Sequence, residues 1–295
     1  MRRLLRNLIA LGIAGVAAGL YLTQPRSLPA NFAANMTGDA GAGALVFAAT
    51  GCASCHVTED EQSDGLPVLA GGQAFASDFG TFYAPNISSD SVTGIGDWSL
   101  EDFARAVTLG VSPQGSHYYP AFPYAAYQHM TDQDVADLYT YMQTLPASAT
   151  PSRDHDLGFP FNIRRGLGLW KLAFVHDNYV LEAESEVLAR GRYLVEGLGH
   201  CAECHTARNA LGGLDRNRWM AGAPNPSGKG TIPNITPAAL DWSERDLVEY
   251  FTSGFTPDYD SAGGKMAEVV ENLSLLPDSD RAAIAAYVKA LPAIP

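Results

Sequence analysis

The chain has 295 residues and a formal net charge of −13, with 32 acidic against 19 basic side chains. That balance repels a phosphate backbone and argues against nucleic acid as a partner. The length suits two ordinary domains.

Residues 1–26 begin with Arg2, Arg3 and Arg6 and continue as an apolar run from Leu8 to Leu22. This is the order of a bacterial export signal whose positive end stays in the cytoplasm. The run is short of the ~20 residues of a typical spanning helix, yet Leu4 and Leu5 extend it, and no A-x-A cleavage pattern follows before Ala30. The reading is a retained anchor in the bacterial cytoplasmic membrane with the body on the periplasmic side. Cleavage would instead release a soluble periplasmic protein.

A first domain is expected over 36–147. It contains Cys52-Ala53-Ser54-Cys55-His56, which returns as Cys201-Ala202-Glu203-Cys204-His205, and the two copies use all four cysteines of the chain. A C-x-x-C pair can be half a zinc site, a redox dithiol or a disulfide. None of these calls for histidine directly after the second cysteine, twice. Two thiols that add across the vinyl groups of haem, followed by an imidazole held for the iron, do call for it. The motifs therefore predict two covalently bound haem c groups, attached at Cys52 and Cys55 and at Cys201 and Cys204, with His56 and His205 as iron ligands.

After the first motif come Pro85-Asn86-Ile87, then Trp98-Ser99-Leu100-Glu101-Asp102 and Gly110. Ser99 precedes an acidic first turn, as an N-cap does. A last helix is predicted from near Thr131, with Val135, Leu138, Tyr139, Met142 and Leu145 on one face, stopping before Pro146. The connector over 148–182 holds Arg164, Arg165, Trp170 and Phe174. It is too apolar for a free tether and is expected to pack between the domains; docking of its cationic and aromatic residues on the membrane or on a partner enzyme is the second reading.

The second domain, 183–295, repeats the landmarks in order. Its motif is followed by Pro233-Asn234-Ile235, Trp242-Ser243-Glu244-Arg245-Asp246 and Gly254, and it closes with Ile284, Tyr287, Val288 and Leu291 before Pro292. The repeat unit is too long and too few in copies for a solenoid. No run alternates long enough to argue a sheet, and Gly and Pro crowd the segments between helices. The fold class is all-α.

Both C-x-x-C-H motifs, the P-N-I segments, G-D-W-S at 96–99, Y-P-A-F-P-Y at 119–124 and G-G-K-M-A-E-V-V at 263–270 together carry a resemblance. The chain resembles a tandem class I c-type cytochrome, in particular the membrane-anchored cytochrome c subunits of bacterial periplasmic alcohol and sugar dehydrogenases. The resemblance implies two cytochrome c domains with long haem-wrapping loops. It also implies electron transfer from a periplasmic dehydrogenase to a cytochrome, the quinone pool or an oxidase of the respiratory chain.

Met266 matches the ligand methionine of that family within G-G-K-M. Domain one departs from the pattern, because Phe122 stands where many relatives have a methionine. Met130, just ahead of the last helix, is the replacement expected on the first iron, with His129 and His117 as alternatives. His155, His176 and His200 are assigned packing or surface roles, while Arg208, Arg216 and Arg218 either pair with haem propionates or face solvent. The chain alone is read as an electron-transfer subunit and not as an enzyme. The alternative is a dihaem redox enzyme, peroxidase-like or thiosulfate dehydrogenase-like, using an open or unusually ligated first haem; a haem-based sensor lacks any attached signalling domain.

Overall fold

The computed structural model describes residues 1–33, 36–57, 62–63, 65–226 and 230–295. It begins with α1, Arg2–Leu22, a 21-residue helix with no buried residue. At 1.5 Å per residue it is about 30 Å long, the thickness of a bilayer core, and its mean hydropathy of 1.6 is that of a membrane span. Its apolar residues, from Leu4 to Leu22, project outward.

The first copy contains α2 (Ala40–Thr50), α3 (Ala53–His56), α4 (Leu100–Leu109), α5 (Tyr124–Tyr127) and α6 (Asp132–Met142). The connector contributes α7 (Leu167–Phe174). The second copy contains α8 (Glu186–Arg192), which runs on as a π-helical turn over Tyr193–Leu198, then α9 (Ala202–His205), α10 (Glu244–Ser253), α11 (Lys265–Ser274) and α12 (Asp278–Ala290).

The helix starts follow local chemistry. Ser99 and Ser243 each accept from the amide three residues on, and Asp102 and Asp246 reach back to the cap amides, so both copies carry a complete capping box. Thr131 caps α6 where the periodicity places its start.

Helices carry the architecture, with short antiparallel ladders that periodicity does not predict. β1 (Gln62–Ser63) pairs with β2 (Leu66–Pro67), and β3 (Ala74–Ser77) with β4 (Gly80–Tyr83), which also pairs with β5 (Asp156–Leu157) of the connector; β6 (Ala223–Pro224) pairs with β7 (Thr231–Ile232). Ladders of two to four residues are too brief to show an alternation.

In each copy the first helix crosses the last at a glycine. A Cβ on Gly43 would lie 2.0 Å from the Asp137 carbonyl oxygen, and one on Gly191 would lie 2.1 Å from that of Ala283. The backbones therefore touch, and the four helices α2, α6, α8 and α12 join one continuous core. It runs from Val46, Phe47 and Leu138 of the first copy through Leu194 and Leu198 to Ile284 and Tyr287 of the second. The copies share an interior and are not beads on a string.

Replacing Gly43 or Gly191 with alanine forces these helices apart, and each change is expected to cost on the order of 1–3 kcal/mol through overpacking. Thermal unfolding followed by far-UV circular dichroism should show a lowered Tm for both. Gly158→Ala, whose Cβ would meet nothing within 4 Å, should leave the Tm unchanged.

Candidate functional site

Each C-x-x-C-H segment is a single helical turn entered at its first cysteine, so the two thiols, three residues apart, share a face and the histidine follows at the end of the turn. The four cysteines form no disulfide; Cys52 and Cys201 are half-buried, while Cys55 and Cys204 are exposed. Burial pushes the Cys52 thiol up to about 11 and the Cys201 thiol up to about 12. Cys55 and Cys204 are also raised, with burial the leading cause. A redox-active dithiol needs a depressed thiol pKa, and none of the four has one.

The P-N-I segments explain themselves against these turns. Nδ1 of His56 donates to the Pro85 carbonyl at 2.8 Å, and Nδ1 of His205 to the Pro233 carbonyl at 2.8 Å. This fixes each ring and its tautomer, leaving Nε2 with a free lone pair for a metal. Burial lowers both histidine pKa values against the opposing effect of the carbonyl bond, which favours the neutral, ligating form. The asparagines hold the chain that leaves each last helix: Asn86 Nδ2 donates to the carbonyls of Ser148 and Thr150, and Asn234 Nδ2 to that of Ile294. The isoleucine amides bond the carbonyls of Leu69 and Met220.

The two motif turns meet across the shared core. The Thr50 carbonyl, two residues before Cys52, accepts from the Tyr127 hydroxyl at 3.0 Å and lies 3.3 Å from Nε2 of His200, the residue before Cys201. Asn272 of α11 donates to Ser54 inside the first motif at 2.9 Å. After burial, the groups that act on the Cys55 thiol are Lys265, Glu268 and Cys204, all from the second copy. Lys265 and Glu268 flank Met266 on α11, so this helix lies against the first motif.

Residues 40–146 and again 188–292 match the family described as cytochrome c. The chain belongs to the cytochrome c family. It is 55% identical to a diheme cytochrome c-type protein of Cereibacter sphaeroides over 295 residues, covering the whole of both chains. It is 42% identical to the fructose dehydrogenase cytochrome subunit of Gluconobacter japonicus over 83% of this chain and 51% of the relative. It is 38% identical to the gluconate 2-dehydrogenase cytochrome c subunit of Pantoea cypripedii, over 81% and 56%. The chain thus spans about half the length of these two dehydrogenase cytochrome subunits.

It is a dihaem cytochrome c with two covalently bound haem c groups, homologous to electron-transfer cytochrome subunits of dehydrogenases. The residues fit that group: paired thiols on one face of a turn, then an imidazole whose Nδ1 is already engaged. Each bound haem supplies an iron that exchanges one electron.

The methionines and histidines expected near the irons fall in different settings. Met266 is partly buried in the first turn of α11. Met130 is buried one residue before the cap of α6, and its amide bonds the Tyr127 carbonyl. Leu276 has the same place before α12, buried, with its amide on the Leu273 carbonyl. Phe122 packs edge-on against Tyr118, Tyr124 and Tyr127. His117 directs Nε2 at the Thr23 carbonyl at 2.9 Å, and His129 stacks on Tyr179 with ring centroids 4.2 Å apart. His155 takes the Tyr83 amide and packs among aromatic rings, a packing role.

The arginines expected near propionates have other partners as well. Arg208 bonds Glu203 and the Gly212 carbonyl, Arg216 the carbonyls of Asn178 and Tyr179, and Arg218 the Pro295 carbonyl. Sequence reasoning missed Thr50, Tyr127 and Asn272, because nothing local marks a carbonyl or an amide that works across a domain interface.

In the mature protein all four sulfurs should be consumed by thioether bonds. Thiol titration in denaturant should find none free, and intact mass should exceed that of the polypeptide by two haems. A free thiol in fully loaded protein would contradict the four-bond arrangement.

Proposed function

We propose that the chain is a membrane-anchored, periplasmic electron-transfer subunit that takes electrons from a dehydrogenase and passes them to a respiratory-chain acceptor: a cytochrome, the quinone pool or an oxidase. Cys52 and Cys55 attach the first haem, with His56 on its iron. Cys201 and Cys204 attach the second, with His205 and Met266 on its iron. The observation that carries this reading is the contact of the first motif with α11: Ser54 and Cys55 lie against the helix that bears Met266. Two one-electron centres whose motifs pack against one shared core suit the passage of an electron from one to the other.

The partner follows from the relatives, among them cytochrome subunits of fructose, gluconate and alcohol dehydrogenases. Acidic side chains give the body a field that steers it toward a basic surface. The 21-residue exposed apolar helix supports the anchor.

On the first iron, Met130 is the sequence candidate for the sixth ligand. A soft thioether there would close the site and keep coordination constant between oxidation states. One observation favours a second reading: Met130 has the buried position before the last helix that the non-ligating Leu276 has in the other copy, its amide bonded in the same way. In that reading the first haem is open, and the peroxidase-like alternative gains ground.

Two experiments separate these readings. Met266→Ala should remove one methionine-to-iron charge-transfer band and let carbon monoxide bind the second ferrous haem. Met130→Leu should remove another such band if Met130 is the ligand and should leave the spectrum intact if Met130 is a packing residue. Rapid carbon monoxide binding by one haem of the unaltered protein, with the band that Met266→Ala removes still present, would establish the open first haem.

The chain by itself should not turn over fructose, gluconate or ethanol. Both haems should become reduced, by visible absorption, when a partner dehydrogenase oxidises its substrate. Turnover by the isolated chain would overturn the carrier assignment.

A further inference from the structure

The connector does more than join two domains. Arg165 donates to the Leu20 carbonyl at 2.6 Å and to the Thr23 hydroxyl at 2.8 Å, gripping the last turn of α1. Gly168 packs directly on the residue that ends this helix, since a Cβ there would lie 2.5 Å from Thr23 Cα. On its other sides α7 is bound to the body. Lys171 donates to the carbonyls of Leu109 and Gly110 in the first copy, and Trp170 Nε1 to that of Leu211 in the second. The end of α1 is therefore fixed against α7, and α7 against both domains.

What remains of this segment faces outward and is apolar. Phe159, Phe161, Ile163, Leu169, Leu172 and Leu211 range from 42% exposed at Phe161 to 81% at Phe159. Phe161 and Leu211 are joined through Phe79. Phe79 stacks edge-on against Phe161 at 4.8 Å and borders Gly212, next to Leu211, whose carbonyl holds Trp170. Basic residues gather at the same place in an otherwise acidic chain. Arg26 and Arg165 are exposed, Arg164 lies over the Tyr119 ring, and Arg26 is close enough to act on Lys171. Exposed Phe and Leu beside Trp, Lys and Arg is the composition of a segment that lies in a membrane interface.

We infer that residues 158–174, with Leu211, sit in the boundary between headgroups and acyl chains, so that the cytochrome body rests on the bilayer in one fixed orientation. The occupant follows from the anchor: a spanning helix leaves the hydrocarbon near Leu22, and the apolar surface is bonded to that point. The exposed Arg26 and Arg165 there meet anionic headgroups. A flexible tether would let the domains tumble, whereas this seat keeps the haem domains at one height above the membrane. The inference rests on the reading of α1 as a retained anchor.

The test uses the full-length, haem-loaded protein. Because haem consumes every native cysteine, a single introduced one is a unique site for a nitroxide label. Labels at Phe161→Cys, Leu169→Cys and Leu172→Cys, in vesicles of phosphatidylglycerol and phosphatidylcholine, are compared by electron paramagnetic resonance. Val16→Cys in the anchor and Leu275→Cys on the second domain serve as references. The ratio of oxygen to water-soluble nickel-complex accessibility should be several-fold higher at 161, 169 and 172 than at 275.

A lipid-like value at 16 with water-like values at 161, 169 and 172 would overturn the inference and leave the anchor standing; the apolar surface would then belong to a protein partner such as the dehydrogenase. A water-like value at 16 would overturn the anchor reading and this inference together. Lipid-like values at 275 as well would show that contact is not confined to the connector, and would also overturn it.

Discussion

Two donors converge on the carbonyl of Thr50, and the arrangement of both redox centres depends on that convergence. Thr50 ends α2, and its hydroxyl is already turned back onto the carbonyls of Val46 and Phe47. As the last carbonyl of the helix its own oxygen has no intrahelical donor, and it receives the Tyr127 hydroxyl from α5 and faces His200 of the second copy. One peptide group thus relates the first haem motif, the wall of the first domain and the entry to the second motif. Tyr127 is buried, and its pKa is raised by burial above all, so it stays a neutral donor at any physiological pH.

Around this point the protein uses one scaffold twice and changes its contents. The capping boxes, the proline carbonyls that receive histidine Nδ1, the asparagine arms and the glycine crossings recur in both copies. The side chains beyond them diverge. Ahead of the last helix but one, the first copy has Phe122, two residues before α5, where the second copy carries Met266 in the first turn of α11, while the core position ahead of the last helix holds Met130 in one and Leu276 in the other. A duplicated frame with unlike fillings allows the two haems of one chain to differ in ligation and so in potential.

The second copy is also tied to the connector from within. Glu196, buried in the π-helical turn, accepts from the amides of Val180 and Leu181 and from the Tyr287 hydroxyl, which itself takes the Trp219 indole proton. A buried carboxylate with three donors is satisfied, and it locks the end of the connector to the last helix. With Arg165 on α1 and Lys171 on the first copy, the connector is held at both ends and in the middle, which is why its apolar composition does not give a loose hinge.

The sequence by itself determined the chemistry and the repeat. Cys52, Cys55 and His56, their second-copy partners, Ser99, Ser243 and Thr131 all act over a few residues of chain, where spacing and helix-end rules apply directly. Tertiary structure alone decided the rest. The work of Pro85 and Pro233 is done by a carbonyl any residue would have supplied, and the contact of Gly43 with Asp137 joins segments with no common local pattern. The short ladders β3–β5 draw one strand from the connector, and the contacts of His200 with Thr50 and of Asn272 with Ser54 cross between copies. Met130 shows the limit most clearly: its thioether suits both an iron and a leucine-shaped gap in a core, and only its equivalence to the buried Leu276 of the second copy brings the second role into view. Local chemistry is written in neighbouring letters, whereas packing depends on which distant backbones come to share a space.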